Sequence, residues 1–108
     1  MSNTIINIAK QFSRYPAGRL KDDGPFSGER FREEFLEPVL RSDGHAVVEF
    51  DGARGYGSSF LEEAFGGLVR LGYPREKIKQ AFSLLSSDRS LIDEINDYIE
   101  HGTPQIQH

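Results

Sequence analysis

A Ser-Ser pair stands between a glycine-rich turn and an apolar run in GYGSSFLEEAFGG, residues 55–67. Hydroxyls at a strand-to-helix junction can satisfy the free N–H groups of the first helical turn, or present an oxygen to outside chemistry. Ser59-Phe60-Leu61-Glu62 reads as an S-x-x-E capping box. In it the Ser59 hydroxyl accepts from the Glu62 N–H, and the Glu62 carboxylate accepts from the Ser59 N–H. The box accounts for Ser59 and Glu62 and leaves Ser58 over. A phosphate on Ser58 would meet the positive end of the helix dipole and add roughly two negative charges to the surface. Ser58 is the first-choice phosphoacceptor and Ser59 the second. The surrounding residues Gly55, Tyr56, Gly57, Phe60, Glu62 and Glu63 form the candidate partner-binding surface, with Phe60 either in the core or a partly exposed anchor.

Other chemistries fit these residues less well. A Ser-His-Asp triad would need a histidine beside Ser58 and Asp51, and the chain holds only His45, His101 and His108. His45 opens the strand whose far end carries Asp51, about 20 Å away. GARGYGSS is glycine-rich after a strand, but no lysine follows to grip a phosphate. Asp23, Asp51, Glu62 and Glu63 could gather around a cation, yet each has a turn, cap or surface role of its own. No catalytic residue, metal or cofactor is expected. Arg30 and Arg32 stand in the first turn of a helix, where a cation opposes the dipole. Each is expected to pair with Asp22, Asp23 or Glu34; the other reading for both, and for Arg19, is contact with an anion or an acidic partner.

The elements that position these residues follow from periodicity. The 108 residues suit one domain, 1–108, and are too few for two. Eight phenylalanines and no tryptophan point to a Phe-rich core. The chain lacks cysteine, so thiolate catalysis and disulfides are out, in keeping with a reducing cytoplasm. A net charge of −4 argues against a nucleic-acid partner, and RLGYPREKIK reads as a solvated helix face. With no long apolar run or secretory signal, no membrane partner is expected.

TIINIA, residues 4–9, reads as a first strand, and Arg19 to Lys21 as its antiparallel hairpin partner. Ser27 caps a helix whose apolar face is Phe31, Phe35, Leu36, Val39 and Leu40, with a kink or a fresh turn at Pro38. His45 to Phe50 is a strand. The next helix buries Leu61, Ala64, Phe65 and Leu68, with Gly66 and Gly67 allowing close approach to the sheet. Pro74 opens a short helix, residues 81–86 form a strand, and Ser87-Asp88 or Ser90 caps a last helix with Leu91, Ile92, Ile95, Tyr98 and Ile99 inward. Residues 103–108 read as a frayed tail. The expected fold is α/β, a single-layer mixed sheet of about four strands with three to four helices in the order β-β-α-β-α-β-α.

VVEFDGARGYGSSFLEEAFGGLVR resembles the central strand, loop and helix of the STAS domain of bacterial anti-sigma-factor antagonists. That resemblance matches the strand Asp to Asp51, the phosphorylated serine to Ser58, and the following Ser and Leu to Ser59 and Leu61. The motif's Asp and Gly are replaced by Gly57 and Phe60. GPFSGERFREEFLEPVL and the Gly-Ser-Ser-Phe-Leu-Glu-Glu-Ala-Phe-Gly-Gly block together resemble the STAS-like family of unknown function over about residues 19 to 70. The resemblance implies a cytoplasmic, non-enzymatic signalling module whose partner is a GHKL-type ATPase or histidine-kinase-like protein. A constitutive homodimer or assembly module is the alternative, and a small anion-binding or catalytic protein a third reading.

Overall fold

The computed structural model describes residues 3–102. The expected frayed tail and His108 lie outside the described residues. Strand β1 is Asn3–Asn7, β2 is His45–Glu49 and β3 is Phe82–Leu85. They pair in the order β1-β2-β3, all parallel, with Ile6 beside Val48 and Val48 beside Leu84. Five α-helical stretches accompany them among the described residues. Helix α1 is Ile8–Gln11, α2 runs over 28–41, α3 over 58–70, α4 is Arg75–Ala81 and α5 is Arg89–His101.

The α/β class is as expected, but the mixed sheet with a hairpin partner is not what forms. Residues 19–21 do not pair with β1, because their backbone groups are already used. The Leu20 N–H donates to Asp23 Oδ2 at 2.9 Å, and the Lys21 N–H to Glu29 Oε1 at 2.9 Å. The carbonyls of Gly18 and Arg19 accept from the N–H groups of Gly28 and Glu29 at 2.9 and 3.0 Å. The segment thus becomes part of the N-terminal cap of α2 instead of a strand. The Ser27 hydroxyl completes that cap, accepting from the Arg30 N–H at 3.2 Å.

Helices α2 and α3 each carry a π turn. In α2 it spans Arg32–Leu36 and closes from the Glu37 N–H to the Arg32 carbonyl. Pro38 follows in the second position of the resumed α segment, where its missing N–H costs least. In α3 the π turn spans Glu62–Gly66 and closes from the Gly67 N–H to the Glu62 carbonyl. The two helices cross closely. A Cβ on Gly28 would stand 2.4 Å from the Phe60 carbonyl oxygen, and one on Gly67 would stand 2.5 Å from Arg32 Nη1. Gly66 and Gly67 therefore admit neighbours other than the sheet: Gly67 faces α2, and Gly66 faces the Glu62 carboxylate and the Tyr98 carbonyl of α5.

The core lies on one face of the sheet. Ile6, Ala46, Val48 and Phe82 point into it and meet Phe31, Leu36, Leu40, Leu61, Phe65 and Leu68 from the helices. Among the described residues no helix is long and apolar enough to cross a membrane.

Candidate functional site

The turn from Phe50 to Ser58 leaves the C-terminal end of the central strand and leads into α3. Its base is pinned at three points. Asp51 accepts from the Ser87 backbone N–H at 3.0 Å and from the Ser87 hydroxyl at 3.1 Å, tying the turn to the one after β3. The Arg54 N–H donates to the Arg14 carbonyl at 2.8 Å, tying it to the segment after β1. The Tyr56 hydroxyl donates to the Phe50 carbonyl at 2.6 Å, while its ring meets Phe50 edge-on at 5.4 Å. Burial, helped by the nearby Asp51 charge, holds the Tyr56 phenol above the ordinary tyrosine range, so it stays a neutral donor.

At the top of this pinned turn, Gly55, Gly57, Ser58 and Ser59 are exposed. The capping box does not form. Gly57, not Ser59, is the N-cap of α3, and Ser58 and Ser59 are its first two helical residues. From there a serine side chain is past the position that reaches back to the second or third N–H. Neither hydroxyl has a hydrogen-bond partner among the described residues. Phe60 is fully buried and packs against Phe31 at 5.8 Å and Tyr56 at 6.1 Å, so it is a core residue and no anchor for a partner.

Glu62, freed from the cap, joins an ionic cluster one turn below the serines. Arg19 and Arg70 both donate to its carboxylate. The neighbouring Glu63 accepts from Arg32 Nη1 at 2.5 Å, Arg70 Nη2 at 3.1 Å and Arg19 Nη1 at 3.3 Å. Arg32 also donates through Nε to Glu37 at 3.0 Å and is itself buried. Burial works against the Arg32 charge, but its bonds to Glu63 and Glu37 outweigh that and hold its pKa above the ordinary value. Burial likewise pushes the Glu62 carboxyl up, and Arg70 and Arg19 overcome it, holding it below its ordinary 4.5. The cluster joins α2, α3 and the segment before α2, so the helix that carries the serines is fixed at its middle.

The three arginines singled out in the sequence therefore have partners inside the chain. Arg30 pairs with Glu34 at 2.9 Å, as expected, and lies over the Phe26 ring at 5.5 Å. Arg19 and Arg32 pair with none of Asp22, Asp23 or Glu34; their partners are Glu62, Glu63 and Glu37. Arg70 and Glu37 were missed. Arg32 to Glu37 is a spacing of five, which only a π turn brings together, and Arg70 read as part of a solvated face. The remaining cations of that face are also engaged: Lys77 with Asp43 at 2.8 Å, Arg75 with the Ile99 carbonyl at 3.1 Å, and Lys79 with Glu100. A groove of about 820 Å³ opens at the opposite end of the sheet, beside Asp43, His45 and Lys77, and does not reach the serines.

Compared with known proteins, residues 27–90 match a family model described as a STAS-like domain of unknown function. No curated protein and no solved structure matches the chain.

Proposed function

The chain belongs to the STAS-like domains of unknown function, and from that premise we propose that it is a non-enzymatic regulatory module that binds a partner protein through the exposed turn over residues 55–59. Ser58 is the phosphoacceptor of this reading and Ser59 its neighbour. The observation that carries it is the pair of exposed, unpartnered hydroxyls at the start of a 13-residue helical stretch whose base is pinned and whose middle is clamped. A phosphate placed there changes the charge of a rigid surface without disturbing any bond the fold uses. The free N–H groups and dipole of the helix start favour the added charge. The nucleotide chemistry belongs to the partner, a GHKL-type ATPase or histidine-kinase-like protein in the STAS resemblance.

Glu62 and Glu63 support this surface from beneath, since their carboxylates are held by arginines. Gly57 in place of the antagonist motif's Asp removes an acidic neighbour of the serine. A partner kinase would then recognise the glycine-rich turn by shape more than by charge.

The test is partner binding by the Ser58→Ala and Ser58→Asp variants, with Ser59→Ala alongside. Ser58→Ala is expected to hold the partner in one state and Ser58→Asp in the other. Unchanged binding by all three would leave a constitutive assembly module in place of a switch.

A further inference from the structure

The helices cover one face of the sheet, and the other face is open among the described residues. Ile5 on β1 is 57% exposed and Leu85 on β3 is 52% exposed. Val47, half-buried, stands between them on the central strand, in register with Ile5 and diagonal to Leu85. Parallel sheets are ordinarily covered on both faces, because their crossover helices distribute to both sides. Here a row of three apolar side chains crosses the sheet with nothing on it among the described residues. Two polar pairs frame the row. His45 and Ser83 share a hydrogen bond at 3.0 Å at one end, and Asn7 Nδ2 donates to Glu49 Oε1 at 3.1 Å at the other.

We propose that this face docks one amphipathic helix of a partner protein, with an apolar stripe on the row Ile5-Val47-Leu85 and a lysine or arginine over Glu49. Size and charge select this occupant. Three strands are about 14 Å across and five residues about 17 Å long, which is one helix wide and about 11 helical residues long. That plan area, about 240 Å², is well under the roughly 800 Å² that each partner of a stable dimer buries, so a second copy laid face to face would not hold. It fits a transient contact, as regulatory encounters are. Glu49 has no ion-pair partner among the described residues, and Asp51 adds a second carboxylate just past the same strand end. A cation on the helix supplies the missing charge, and an acidic helix would be repelled. The surface is separate from the Ser58 turn and stands whether or not that turn is a switch.

The experiment is an NMR titration of the full chain with a synthetic 14-residue helical peptide carrying leucines along one face and lysines on one flank, and with its glutamate counterpart. Amide shifts are expected to concentrate on Ile5, Asn7, Val47, Glu49 and Leu85. Leu85→Asp should weaken binding about tenfold with the rest of the spectrum intact. The lysine peptide should bind about threefold more tightly than the glutamate peptide, and Glu49→Gln should reduce that preference. Ser58→Asp should change none of this. Shifts centred elsewhere, a charge preference undiminished by Glu49→Gln, or sedimentation showing a dimer of the chain alone would overturn the proposal.

Discussion

Arg32 donates through one nitrogen to both the backbone carbonyl of Glu63, at 3.1 Å, and the Glu63 carboxylate, at 2.5 Å. One residue in the π turn of α2 thus closes on a residue in the π turn of α3. The Arg32 side chain is 8% exposed and that of Glu63 12%. Truncating the arginine takes a buried donor from each of two carboxylates and from a carbonyl, and breaking a buried pair of this kind costs about 3 kcal/mol. Arg32→Ala is expected to lower unfolding free energy by about that amount in urea denaturation. A loss well under 1 kcal/mol would mean that the pair contributes little to holding α2 against α3.

The approach of α2 to α3 leaves no room for a side chain at Gly28. Alanine is the better helix former by about 1 kcal/mol. Its Cβ would nevertheless stand 2.4 Å from the Phe60 carbonyl, and the fixed backbone on both sides cannot yield without moving a helix. Gly28→Ala is expected to destabilise by about 2 kcal/mol, read from the midpoint of thermal unfolding. An unchanged or raised midpoint would show that the crossing is looser than its geometry.

Capping energies divide the serines by position. Ser27 is fully buried and accepts from the Arg30 N–H, so Ser27→Ala should cost about 1 kcal/mol. Ser59 is exposed in the first turn with no such bond, and Ser59→Ala should cost less than about 0.5 kcal/mol. Chemical denaturation of the two variants side by side checks the order. Equal losses would restore the capping role of Ser59.

Acid should loosen the cluster from the Glu62 side. Its folded pKa lies below the ordinary 4.5, so as pH falls the unfolded chain takes up the proton first. The stability from this carboxylate is complete above the unfolded value and is lost as pH falls through the folded one. Below about pH 5 the wild-type chain should lose stability more steeply than Glu62→Gln, which is weaker at neutral pH but carries no such titration. Parallel slopes in unfolding free energy against pH would contradict this.

Much of the fold was legible because single-face periodicity in the helices and β-branched runs in the strands are local signals. Leu61, Ala64, Phe65 and Leu68 are buried as their spacing requires, and Phe82–Leu85 forms a strand from four residues of brevity and apolarity. The misread pieces depend on partners distant in sequence. The segment around Arg19 looks extended until Gly28 and Glu29 claim its carbonyls. The capping box at Ser59 matches its pattern, yet Arg19 and Arg70 offer Glu62 charged donors that outcompete one backbone N–H. The π turns have no sequence period of their own, which hid the Arg32–Glu37 pair. The turn at Ser58 was legible as a junction, and its exposure follows from Gly57 taking the cap.

The most direct test of the switch is intact-mass and peptide mass spectrometry on the chain recovered from its native host across growth conditions. A phosphate on Ser58, in a fraction that changes with condition, is the expected result. A chain unmodified at Ser58 under every condition would contradict it and leave the exposed serines as surface residues of a constitutive binding module.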